Sequence, residues 1–146
     1  MPYLRRFAYT GTKDFTAYIS ITDAFAFRDM LGGDDVINEY THTLAREAGD
    51  YLVDLWNTGR LSPSSYEANL FNIILPTKDL QVATDMVQKL YDEEGIYMLA
   101  LLDEKSGIVY SRFSSQIYLE LSDFQKVGVL VKKYLVSLEG EKVEKN

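Results

Sequence analysis

Ile96-Tyr97-Met98-Leu99-Ala100-Leu101-Leu102-Asp103-Glu104-Lys105-Ser106-Gly107-Ile108-Val109-Tyr110-Ser111-Arg112-Phe113 is the stretch that decides the fold. Two apolar, β-branched and aromatic runs flank a short polar segment that ends in glycine. That pattern predicts a strand over residues 96–102, a hairpin turn, and a second strand over 108–113. Upstream, residues 70–75 read as another strand, stopped by Pro76. A helix over residues 79–93 follows, with Leu80, Ala83, Val87 and Leu90 on one face and Gly95 at its end. Downstream, Ser122 and Gln125 have the spacing of a capping box, which opens a last helix running to residue 138.

Further from the hairpin, Ile37, Tyr40, Leu44, Ala48, Tyr51 and Leu55 recur at helical steps and predict a long amphipathic helix over residues 34–56. Asp34 and Asp35 lie in its first turn, where the helix dipole favours negative charge. Residues 57–65, with Gly59 and Pro63, read as a loop. A short helix is expected from Thr22 to residue 31, closed by Gly32-Gly33. Residues 1–20 read as an extended arm with a turn at Gly11. The tail over residues 139–146 reads as polar and frayed. The sum is a single small domain over residues 1–138 of α+β class: a small three-stranded, mostly antiparallel sheet covered by about four helices. The strands over residues 70–75 and 96–102 are apolar nearly throughout, which predicts cover on both faces, by helices or by a partner surface.

Composition narrows the function classes. Apolar residues make up 47% and charged residues 25% of 146 residues, as in an ordinary globular domain. The net charge is −7, and the longest basic clusters are Arg5-Arg6 and Lys132-Lys133. A phosphate backbone needs clustered cations in a positive field, so nucleic acid is not an expected partner. With no cysteine, disulfides and thiolate chemistry are excluded. No apolar run is long enough to span a bilayer and no signal-peptide pattern stands at the N-terminus, so a cytoplasmic, non-membrane location is expected. His42 is the only histidine and lies in the long helix, so no multi-histidine metal site can form, and no metal is expected.

Two short motifs remain. The first is Gly11-Thr12-Lys13-Asp14, within Arg6-Phe7-Ala8-Tyr9-Thr10-Gly11-Thr12-Lys13-Asp14-Phe15. The second is Arg112-Phe113-Ser114-Ser115-Gln116-Ile117-Tyr118. Together they resemble the C-terminal small domain of class V aminotransferase-like enzymes that use pyridoxal phosphate, in the branch with isopenicillin N epimerase-like proteins and hercynylcysteine sulfoxide lyases, cousins of the cysteine desulfurases. The small domain of that aspartate-aminotransferase fold has the same order of elements.

The resemblance implies that Arg112 is a substrate-binding residue, pairing with an α-carboxylate. A planar, permanently charged fork can grip two carboxylate oxygens at once. Ser114 and Tyr118 fit the accompanying spacing, whereas Leu119 stands where many members have asparagine. Without the resemblance, Arg112 reads as an edge-strand arginine paired with a nearby carboxylate. The resemblance also implies that Gly11 and Thr12 are cofactor-binding positions, in a loop that reaches the phosphate of a neighbouring subunit's pyridoxal phosphate.

The family's aldimine lysine, pyridine-facing aspartate and ring-stacking histidine belong to its large domain, and their motifs are not found in this sequence. Met1 falls almost where that large domain would have ended. No catalytic residue is therefore expected in this chain, and no cofactor on this chain alone; pyridoxal phosphate is implied only if a large domain joins it. Two expectations follow. One is a non-catalytic stand-alone relative of the small domain that acts as a homodimer or binds another protein chain. The other is a component or fragment of a C–S lyase, epimerase or aminotransferase whose lysine comes from another chain or segment.

Overall fold

The computed structural model describes residues 3, 8, 9, 11 and 13–144, with side chains as far as 138. Four helices, α1 (Thr16–Met30), α2 (Gly33–Trp56), α3 (Leu80–Glu94) and α4 (Leu121–Glu144), accompany three strands, β1 (Leu70–Ile74), β2 (Leu101–Asp103) and β3 (Ile108–Ser114). The α+β class expected from the sequence is borne out. The strands form one antiparallel sheet in the order β1-β3-β2. The chain divides into two compact units, residues 1–37 and 38–146.

In the first unit, α1 begins at Thr16, inside the stretch expected to be an extended arm and well before Thr22. Asp14 Oδ1 accepts from the Thr16 N–H at 2.9 Å, and the Phe15 carbonyl accepts from Tyr18 and Ile19. These bonds start the helix inside the stretch expected to be extended. The Thr16 hydroxyl and N–H hold the Asp14 carboxyl below its usual pKa. No residue of α1 is buried.

In the second unit, the end signals of α3 and the glycine of the hairpin turn have geometric counterparts. Asp79 caps α3 by accepting from the Gln81 and Val82 N–H groups, and Gly95 ends it in the left-handed region at φ 66°. The turn after β2 closes through Gly107, whose N–H donates to the Asp103 carbonyl at 2.8 Å and whose φ is 70°. Ser106 donates to the Asp103 carboxylate and keeps its pKa below the ordinary value. The capping box of α4 differs from the expected one. Ser122 lies inside the first turn, and the Asp123 carboxylate accepts from the Glu120 N–H at 2.8 Å while its own N–H donates back. The α4 backbone also continues through Glu144, past the expected stop at 138.

The core lies on one face of the sheet. Phe71 and Ile73 of β1 are cross-strand partners of Phe113 and Ser111 of β3, and all four are buried. They join Leu44, Ala48, Leu52 and Trp56 of α2, Val82, Met86 and Leu90 of α3, and Phe124, Val131 and Leu135 of α4. Phe71 stacks on Phe113 with centroids 5.6 Å apart, and Phe124 meets both. On the opposite face, Leu70, Asn72, Ile74, Tyr110, Arg112 and Ser114 are exposed or half-buried. Helical cover on both faces is thus not what the strands have. Their outward apolar residues, Leu70 and Ile74, stay at least partly open.

Candidate functional site

Arg112 sits near the end of β3, opposite Asn72 of β1, on the open face of the sheet. Since β3 lies between β1 and β2, it is the central strand, not an edge strand. Nor is Arg112 tied to a carboxylate: it makes no hydrogen bond or ion pair among the described residues. A guanidinium without an internal partner on an open face is available to an external anion.

The hydrogen-bond pattern explains how the surroundings of Arg112 arise. Ser115 N–H donates to the Asn69 carbonyl, and Leu75 N–H to the Val109 carbonyl, so odd-numbered residues of β3 bond to β1. Even-numbered residues direct their main chain to the β2 side. There the ladder stops: Leu101 pairs with Tyr110, but residues 96–100 are not strand, although the sequence predicted one over 96–102. A cavity of about 350 Å³ opens at this break. Arg112 and Ser114 line one wall, Met98 the opposite wall, and Phe124, Asp123 and Lys126 the end formed by α4.

The charged groups there differ in how they are engaged. One oxygen of Asp123 accepts from the Glu120 amide, and Lys126 has an ion pair with Glu94 at 3.9 Å. Arg112 has no partner among the described residues and is the group left to meet an anion.

The neighbouring motif residues have different duties. Ser114 lines the cavity, but Tyr118 is 77% exposed and does not. Leu119 lines the cavity too, and its carbonyl accepts from the Tyr40 hydroxyl at 2.7 Å. Ser115 is fully buried; its hydroxyl donates to the Thr41 carbonyl at 2.7 Å and leans on that of Asn69 at 3.1 Å. It anchors the end of β3 to α2 and so fixes where Arg112 stands. Met98, Asp123 and Lys126 carried no signal in the sequence, because their roles come from the interrupted ladder and the start of α4.

Of the two expected cofactor-binding positions, Gly11 lies in the first unit with φ 72°, and a Cβ placed there would meet nothing within 4 Å. Thr12 lies outside the described residues. His42 is exposed on α2, and among the described residues there is no cluster of side chains suited to a metal ion. No helix among the described residues is long and apolar enough to cross a membrane.

No family model matches the chain. An L-cysteine desulfhydrase-like protein of Epichloe uncinata is 28% identical over 84% of this chain and 33% of its own length. The hercynylcysteine sulfoxide lyase of Schizosaccharomyces pombe is 26% identical over 88% of this chain and 32% of its own length. A second desulfhydrase-like protein of Epichloe uncinata is 27% identical, with 86% and 33% covered. The chain spans about a third of the length of the curated relatives it matches. The resemblance carried by the Gly11 and Arg112 motifs is thus borne out: over most of its length the chain is related to a third of class V aminotransferase-like enzymes of the branch with hercynylcysteine sulfoxide lyases, and a small domain of such an enzyme fits its length and fold.

Proposed function

We propose that the chain is the small-domain third of a pyridoxal-phosphate enzyme acting on an amino acid, in which Arg112 holds the substrate's α-carboxylate. The observation that carries this reading is the guanidinium of Arg112 on the open sheet face, without a partner among the described residues. A cofactor-binding domain is the partner this reading requires. Pyridoxal phosphate bound there would supply the electron sink for bond cleavage next to the amino group. This chain would orient the carboxylate and narrow the access of water. Gly11 and Thr12 would offer main-chain and hydroxyl donors to the phosphate once the partner domain is in place.

The exposed apolar residues of α1 support a partner of some kind. Tyr18 is 71% exposed, Ile19 72% and Phe25 61%, a concentration of apolar surface that favours association. The same surface favours a second reading, a non-catalytic homodimer that uses α1 to self-associate.

The two readings separate when the chain is mixed with the cofactor-binding remainder of the Schizosaccharomyces pombe lyase. The enzyme reading expects a stable complex with amino-acid lyase activity. Arg112→Gln should lower that activity on the order of 100-fold while the complex persists, because carboxylate orientation is lost. An Arg112→Gln variant as active as the parent would contradict the anchor role. A defined dimer that ignores the added domain would favour self-association.

A further inference from the structure

Arg112 accounts for one end of a bound amino acid, and the break in the β2/β3 ladder leaves a place for the other. We propose that the cavity between residues 96–98, β3 and the first turns of α4 is a side-chain pocket that selects amino acids with an extended apolar side chain. The proposal rests on the reading of Arg112 as the carboxylate anchor.

Three observations carry it. The first is the ladder. Continuing the register of Leu101 with Tyr110 would pair Leu99 with Arg112 and Tyr97 with Ser114. Neither pair forms, and the main-chain groups of Arg112 and Ser114 on that side have no partner among the described residues. Zipped strands would leave no space there, so the cavity exists because residues 96–100 stand away from β3.

The second observation is the lining. Ile96, Met98, Leu119, Phe124 and Val127 supply apolar walls, and the charged groups Arg112, Asp123 and Lys126 share the same cavity. Apolar walls with a few convergent polar groups are what an amphiphilic small ligand requires. Met98 adds an unbranched, adaptable surface suited to a linear chain.

The third observation is size. About 350 Å³ is at the small end of ligand pockets, enough for one amino acid and too little for a larger cofactor-like molecule. The free main-chain amide of Ser114 lies on the same wall as Arg112 and adds a donor for the carboxylate.

The test is a titration of the chain alone with L-norleucine and with L-alanine, followed by the amide NMR signals of Met98, Ser114 and Lys126. Norleucine should saturate these shifts at a concentration at least about tenfold lower than alanine, since three further methylenes leave water. Val127→Phe, which fills the pocket from a half-buried position, should bring the two ligands close to equality. Met98→Phe provides the same blockade from the opposite wall if the first variant folds poorly. Arg112→Gln should abolish binding of both.

Equal, Arg112-dependent binding of the two amino acids would overturn the pocket and leave the carboxylate anchor standing. Norleucine binding indifferent to Arg112→Gln would overturn the anchor, and the proposal with it. Absence of binding by either ligand would overturn the pocket as a site competent in this chain.

Discussion

Arg60 lies in the connection between α2 and β1, and its guanidinium is folded back onto α2. It donates to Asp50 Oδ1 and to the Arg46 carbonyl, each at 2.9 Å, and to the Glu67 carboxylate. The side chains of Arg60 and Glu67 are only 12% and 4% exposed. Gly49 makes this possible: a Cβ there would stand 2.3 Å from an Arg60 nitrogen. Gly49→Ala must therefore displace a nearly buried cation from three acceptors. Its expected cost is about 2 to 3 kcal/mol, read as a lowered urea midpoint. An unchanged midpoint would show that the clamp does not hold the loop.

Tyr134 offers a pH-dependent counterpart. Its hydroxyl donates to Glu93, and that bond, with burial and the nearby carboxylate charges, pushes the phenol up to about 12 from 10.0. Below pH 10 both folded and unfolded chains keep the proton, and the contribution is whole. As pH rises from 10 toward 12, the unfolded chain loses its proton first, so stability falls. The midpoint difference between the parent and Tyr134→Phe should hold steady below pH 10 and shift against the parent above it. A difference that stays constant through that window would refute the linkage.

At the scale of elements, α2 and α4 meet at Gly128. The Trp56 indole donates to the Gly128 carbonyl at 2.9 Å, and an added Cβ would lie 2.8 Å from Leu52 and 2.9 Å from Leu55. Gly128→Ala gains helix propensity but overpacks the crossing. The balance predicts a net loss of about 1 kcal/mol, with altered fluorescence of Trp56, the only tryptophan. A gain in stability would mean that the helices separate without cost.

Where a boundary was written in local chemistry, the sequence showed it: Pro76 after β1, Asp79 and Gly95 around α3, and Gly107 in the hairpin. Elements whose limits depend on distant partners were harder to read. Residues 96–100 have strand chemistry, yet they leave β3. Residues 16–20 read as part of the arm, yet the carbonyl of Phe15 accepts from Tyr18 and Ile19 and the helix starts there. The buried stripe of α2 runs through Ala45, Leu52 and Trp56 as well as Leu44 and Ala48, while Tyr40 of the expected set points to the surface. Both stripes have helical spacing, and only the position of the sheet chooses between them. Arg112 was legible through its motif alone; the cavity beside it was not, since its walls come from three separate segments.

For the molecule as a whole, the proposed function requires that the α+β unit offer Arg112 to the substrate and that the cofactor lysine come from another domain. The most direct measurement is a pyridoxal phosphate titration of this chain, followed by aldimine absorbance, borohydride trapping and peptide mapping. The account predicts no saturable aldimine and no single modified lysine. Saturable, trappable cofactor on one specific lysine would contradict it, and the chain would then carry its own reactive amine.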